Sequence, residues 1–185
     1  MRTLHTVSRD YSDLMSLEDA KTWLRVEGTD DDSVIAAMMS GVFTYAENYL
    51  NATVGSNVYV QTQDTFDETE YIKLMRPPVD SITKIEYVDL DGTTQEVDSS
   101  LYKLNKDQGY IYLKAGEKWP EIADEPFAVK IYYVCTGMFI NNEADDILDA
   151  IKMMLTYRYD YRDDVNQRWR KASDAILDQL RNKSF

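Results

Sequence analysis

The stretch from Glu86 to Val97 reads EYVDLDGTTQEV. It sets two carboxylates, Asp89 and Asp91, one residue apart and follows them with Gly92 and Thr93. Three kinds of chemistry fit such a string. Asp-x-Asp-Gly-Thr after an apolar run is the nucleophile motif of the haloacid-dehalogenase-type phosphatases. Alternating aspartates before a glycine are half of a calcium loop. Aspartate followed by glycine is also an ordinary β-hairpin turn, since glycine takes up positive φ freely and aspartate tolerates it.

The other candidates for chemistry are few. His5 is the only histidine and Cys135 the only cysteine, so the chain has no internal disulfide and suits a reducing compartment. Far apart in sequence, these two residues do not make a conventional zinc site alone. A Ser-His-Asp triad would need His5 as its base, close to an N-terminus expected to be loose. Asp30-Asp31-Asp32 stand before a helical pattern, where acids cap free N–H groups and sit well in the helix dipole. Asp145-Asp146 occupy a similar first turn. The inventory gives no catalytic residue, no metal ligand set and no cofactor site.

The elements around these residues follow from pattern. The 185 residues suffice for one domain with a core, or a core with an inserted subdomain, and a hydrophobic content of 44% is that of a folded protein. Ser16 to Asp19 is a capping-box signature, and a short helix stopping near Glu27-Gly28 should follow. A second helix carries Ile35, Met38, Met39, Val42, Ala46, Tyr49 and Leu50 on one face and ends near Asn51. From Asn57 to Gly137 the texture is strand and turn: VYVQTQDTF, YIKLM, SITKIEYVDL, LYKL, GYIYL and FAVKIYYV. Pro77-Pro78 separates two of these strands. Helix returns near Asn141 or Asn142, with Ile147, Leu148, Ile151, Met154, Leu155 and Arg158 at helical spacing. A last helix carries Trp169, Ala172, Ser173, Ile176, Leu177 and Leu180.

Helix runs and strand runs that do not alternate predict an α+β fold. The expected form is a small helical bundle of N- and C-terminal helices with an inserted antiparallel β-rich subdomain. In one domain over 1–185, the expected divisions are a helix pair over 16–51, a β-rich insert over 56–137, a helix over 142–162 and a C-terminal helix or tail over 164–185.

That organisation decides between the three readings of the opening string. The phosphatase motif needs its first aspartate at the end of a buried parallel strand, which reads as a continuous apolar run. Lys84 and Glu86 interrupt the lead-in, and no βαβ order surrounds it. The calcium loop would place Tyr87 in the first ligand position and Asp98 in the closing one, and tyrosine supplies no carboxylate. The hairpin turn remains. Phosphatase chemistry at Asp89 and Asp91 stands only as the lesser alternative.

Charge narrows the partners. A net charge of −13 gives no counterion release on DNA, so tight non-specific nucleic-acid binding is excluded. No secretory signal pattern and no apolar run of membrane-spanning length is present. The reading is of a soluble protein made in the cytoplasm.

Taken in order, SLEDAKTWLRVEGTDDDSVIAAMMSGVFTYAENYLN, LMRPPVDSITKIEYVDLDGTTQEV, LYKLN, GYIYL and EKWP resemble the head–tail connector proteins of long-tailed bacteriophages, also called adaptor or head-completion proteins. The likeness covers about residues 16–161. It implies a structural virion protein at the neck, the head–tail junction, without catalysis or cofactor. It implies a homo-oligomeric ring, a dodecamer matching the portal, that extends the DNA channel and offers a platform to a tail-side completion or stopper protein. DNA would pass through the lumen without specific binding, and no membrane is involved. Another neck or tail-completion ring protein is the neighbouring alternative. The resemblance further implies portal docking by the C-terminal segment, over residues 166–185, with Trp169, Arg170, Ile176, Leu177, Leu180 and Phe185 as the candidate contacts. The plain alternative is that this helix packs back on its own domain. The same two readings apply to the fourteen tyrosines, which suit either interfaces or core. Trp23 and Trp119 are expected in core or loop packing.

Overall fold

Alternating apolar residues between Ser56 and Cys135 bury one face of most of the strands, and the computed structural model shows how they pair. The structure describes residues 1–66, 71–76, 78–137, 144–162 and 169–183. Among these the order is β1 (Arg2–Asp10), α1 (Leu17–Leu24), α2 (Asp32–Leu50), β2 (Ser56–Gln63), β3 (Tyr71–Lys73), β4 (Ser81–Val88), β5 (Thr94–Glu96), β6 (Tyr102–Asn105), β7 (Tyr110–Leu113), β8 (Val129–Cys135), α3 (Ala144–Asp160) and α4 (Trp169–Lys183). This is the α+β class, with helices towards both ends of the chain. The chain divides into two units: residues 1–9 with 56–136, and residues 10–55 with 137–185. The β unit is thus larger than the insert expected over 56–137, because the N-terminal strand belongs to it.

In the β unit a five-stranded sheet has the order β1-β2-β8-β4-β5, and a three-stranded sheet the order β3-β7-β6. β2 and β4 flank β8, both antiparallel to it. One apolar cluster serves this unit, with Ile72, Leu74, Ile85, Ile111, Ile131 and Tyr133 fully enclosed. Trp119, as expected, packs in its loop: its ring stacks on Phe66 at 4.7 Å. β2 also turns polar side chains inward. Gln61 is fully buried. Its amide donates to the Lys73 carbonyl at 3.2 Å and accepts from the Met75 N–H at 3.0 Å. Its side chain thereby ties the three-stranded sheet to the five-stranded one, meeting the backbone with one donor and one acceptor as a further strand would. Gln63 is also buried and donates to the Thr65 carbonyl at 2.7 Å.

The N-terminal segment corrects the expectation of a loose end. Residues 2–10 form β1 at the edge of the sheet, and His5 is exposed there with the Thr3 hydroxyl 3.3 Å away. The pattern TLHTVS has few apolar residues because an edge strand buries little.

In the helical unit Ser16 and Asp19 form the expected capping box: the Asp19 N–H donates to the Ser16 hydroxyl at 3.1 Å and the Ser16 N–H to the Asp19 carboxylate at 3.0 Å. α1 ends earlier than Glu27-Gly28, at Leu24, because Arg25 adopts the left-handed conformation and its N–H turns back to the Lys21 and Thr22 carbonyls. Ile35, Val42, Phe43 and Ala46 of α2 pack with Ile147, Ile151, Met154 and Leu155 of α3 in one core. After α2 the buried Glu47 accepts the Val54 N–H at 3.0 Å and the Tyr11 hydroxyl at 3.2 Å, fixing the turn that leaves the helix. Gly137 lies so near this turn that a Cβ there would stand 1.7 Å from the Val54 carbonyl oxygen. Asn141 and Asn142, the expected caps of the third helix, lie outside the described residues, as does Pro77.

Candidate assembly surfaces

The Asp89 carboxylate serves its own turn. It accepts N–H bonds from Asp91 at 3.1 Å and Thr93 at 2.8 Å, and its other oxygen accepts from the Gln95 amide at 3.0 Å. The Asp89 N–H pairs with the Thr93 carbonyl at 2.9 Å, and Gly92 takes the positive φ of 78° that the turn needs. The Thr93 N–H, then Gln95, hold this carboxyl below the ordinary aspartate value. β4 and β5 pair antiparallel on either side. The hairpin reading is the one this geometry satisfies. Among the described residues, no group of three or more His, Cys, Asp or Glu side chains could hold a metal ion. The tip offers Leu90 outward, 68% exposed, beside the exposed Asp91.

Asp31 and Asp32 depart from the capping expectation. Asp31 stands at the N-cap of α2, but its side chain makes no cap bond. Its carboxylate accepts instead from the Tyr159 hydroxyl and, at 3.4 Å, from Arg162, both at the end of α3. Asp32 pairs at 2.9 Å with Lys21, a nearly buried lysine that also reaches Glu18 at 3.3 Å. Asp32, ahead of Glu18, raises the Lys21 ammonium above its usual range. These acids join α1, α2 and α3, and such distant partners are invisible to a local reading. Trp23 likewise departs from core packing. It is 49% exposed, donates to the Thr156 hydroxyl at 2.8 Å and carries the Lys152 ammonium 5.1 Å from its ring centre. It lines an open groove of about 930 Å³ with Leu14, Leu24 and Leu148.

The six residues expected to dock on a partner are spread over distinct environments. Leu177 and Leu180 are enclosed in the helical core, and Ile176 is half-buried against it. Trp169 and Arg170 open α4, and Phe185 lies outside the described residues. The side of α4 that faces α2 is fixed by two parallel bonds. Tyr45 donates to Asp174 at 2.7 Å and Tyr49 to Asp178 at 2.8 Å, each one turn apart on its helix. The bond to Asp178 raises the Tyr49 phenol above its usual value. Two members of the expected docking stripe are therefore interior anchors of α4, and this side of the helix follows the packing alternative.

Sequence reasoning singled out none of the cross-links made by Tyr45, Tyr49, Glu47 and Gln61. Their only trace is polar residues on otherwise apolar faces. The tyrosines divide: Tyr59 and Tyr133 are buried, whereas Tyr71, Tyr112 and Tyr161 are exposed.

A family model described as head completion protein matches residues 13–173. No curated protein sequence gives a significant match. Among solved structures, a chain from "Virion of native gene transfer agent (GTA) particle" is similar with a TM-score of 0.71 at 16% identity, over 96% of this chain and 94% of that one. A chain from "Neck of native GTA particle computed with C12 symmetry" gives 0.71 at 14% identity, over 96% and 93%. A chain from "Neck of empty GTA particle computed with C6 symmetry" gives 0.68 at 15%, over 94% of each. At these identities the likeness is one of fold.

Proposed function

The chain belongs to the head completion protein family, and from that premise we propose that it forms a homo-oligomeric ring in the neck of a virion. The ring sits under the portal, extends the DNA channel and joins the head to the tail. The observation that carries this reading is the family match over residues 13–173, which takes in both units. The fold shared with chains of neck particles supports the location, and the C12 symmetry of one such neck supports a ring of twelve copies. The partners are a portal on one side and a tail-side completion or stopper protein on the other.

The physics of the chain suits this work. A chain of net charge −13 suits a channel wall, where carboxylates would repel passing phosphates within a Debye length of about 8 Å at physiological salt. The role is structural, not enzymatic. Asp89, the one nucleophile candidate of the sequence, is engaged by three hydrogen bonds of its own turn. The bacterial host's cytoplasm would be the place of synthesis. Among the described residues no helix is long and apolar enough to cross a membrane.

Portal docking by the C-terminal segment is retained in altered form. Leu177 and Leu180 hold α4 in its own unit, and the contacts are left to Trp169, Arg170, the outer side of Ile176, and Phe185. Native mass spectrometry of the protein with the portal ring encoded in the same genome tests the reading. A portal carrying an equal number of copies supports it and gives the ring size. A bare portal moves the protein tailward, to be tried against tail-completion proteins. In the same assay W169A/R170E, checked to be folded by circular dichroism, should load less on the portal; full loading would remove the docking role of α4.

A further inference from the structure

The three-stranded sheet has one face in the core and one in solvent, and the two differ sharply in chemistry. Ile72 and Ile111 are fully buried and Leu104 is half-buried against the same core. The alternate residues point away from it, and the register sets them in two cross-strand rows. Tyr71 stands opposite Tyr112, and Tyr112 opposite Lys103. Lys73 stands opposite Tyr110, and Tyr110 opposite Asn105. Tyr71 and Tyr112 are 43% and 38% exposed, and the Tyr71 and Tyr110 rings stack at 4.5 Å. Lys73 and Lys103 are exposed at opposite corners. A chain of net charge −13 thus carries a face of three aromatic rings and two ammonium groups. Rigid tyrosines that lose little entropy on contact mark an interaction surface.

The occupant that fits is apolar at its centre, acidic at its edge and rigid. The β4–β5 tip of this same chain has those properties. Leu90 projects with 68% of its surface exposed, and the turn beneath it is fixed by the three bonds to Asp89. Asp91, also exposed, stands beside it. A tip already ordered pays little on docking, which favours a preformed hairpin over a flexible segment.

We propose that the Leu90 tip of one copy seats on the Tyr71–Tyr110–Tyr112 face of the next, with Asp91 meeting Lys103, the neighbour of Tyr112 across the strands. Tip and face are different surfaces, so the contact is head-to-tail and propagates round a ring. The inference rests on the ring reading for closure, and supplies the contact between copies that it requires.

Full-length L90C and Y112C proteins are mixed and oxidised, both concentrated in solution and on the portal ring. Cys135 is buried and does not compete. The expected result is a disulfide-linked heterodimer, about tenfold more abundant than from either variant alone, because the contact raises the local thiol concentration. Absence of that product in both settings overturns the contact. D91K and K103E singly should reduce assembly about tenfold through like-charge repulsion, and the double variant D91K/K103E should recover it; variants that assemble as wild type also overturn it. Portal loading of the wild-type protein is scored separately. Cross-linking with a bare portal keeps the contact and removes the portal reading, and a loaded portal without cross-linking does the reverse.

Discussion

The two units solve one problem, how to hold packed elements in register, with different polar groups. In the helical unit the ties are carboxylates met by distant partners: Asp31 by Tyr159 and Arg162, Asp32 by Lys21, Asp174 by Tyr45, Asp178 by Tyr49, and Glu47 by Val54 and Tyr11. In the β unit the sheet-to-sheet tie is a neutral amide, Gln61, while Asp89 and Asp98 turn back on neighbours no more than six residues away; Asp64 and Asp80 reach further, to the Phe127 N–H at 3.0 Å and to Lys106 at 3.0 Å. The difference follows from burial. Gln61 and Gln63 lie in the interior, where an ion without a partner is costly and an amide can both donate and accept. Asp174 and Asp178 lie near the surface, where a carboxylate keeps water at its remaining lone pairs and the penalty is small. Glu47 is the exception, a buried acid whose bonds to Val54 and Tyr11 offset its loss of water.

The sharpest way to break this comparison is to remove an amide. Gln61→Leu keeps the volume roughly and leaves the Lys73 carbonyl and the Met75 N–H unpaired. With each stranded group costing about 1–3 kcal/mol, the loss should be about 2–6 kcal/mol in urea unfolding. A loss below about 0.5 kcal/mol would mean that water or a shifted strand satisfies both groups, and the amide would not be the tie between sheets.

The helical ties should weigh less singly. Tyr45→Phe removes one hydroxyl at a part-buried site and should cost about 0.5–1 kcal/mol. Tyr49→Phe should cost less, being more exposed, but it carries a signature in pH. Asp178 raises the Tyr49 phenol in the folded state, so the bond contributes fully below the ordinary tyrosine value and is lost as pH rises through the raised one. Wild type should therefore lose stability to alkali faster than Y49F. Parallel curves for the two proteins would sink the assignment.

The same contrast explains what could be read from sequence. The helices, the strands between Val58 and Val134, the capping box at Ser16 and the hairpin at Asp89 are legible because each is written within a few residues, by period or by turn chemistry. β1 was not, since an edge strand with one half-buried leucine carries little alternation. Arg25 ends α1 in a conformation usually left to glycine, so the stop signal at Gly28 pointed three residues too far. Asp31, Asp32 and the α4 anchors Leu177 and Leu180 are decided by partners more than ten residues off in sequence, or on other helices. The spacing shows that they form a face; only the fold shows what the face meets. For the same reason the sheet face of Tyr71, Tyr110 and Tyr112 was scattered through two strand strings, and became a surface only when β3 and β7 paired.

The smallest effect should come from the residue with which the reading began. The Asp89 carboxylate accepts three hydrogen bonds, yet all lie within its own exposed hairpin. Asp89→Ala should therefore free the Thr93 N–H to exchange while global unfolding barely moves. The pH dependence has the opposite sign to that of Tyr49. Its folded carboxyl is depressed, so the turn's contribution is present above the ordinary aspartate value and fades as pH falls through the depressed one. Amide exchange at Thr93 should accordingly rise relative to Val97 in acid, and D89A should show the acid pattern already at neutral pH. Global destabilisation by D89A comparable to that of Q61L would mean that the hairpin is coupled to the core. The contrast between the local Asp89 turn and the cross-linking Gln61 amide would then fail. A purely local effect, together with loss of the cross-link between copies, would show the Asp89 turn acting as the rigid mount of Leu90.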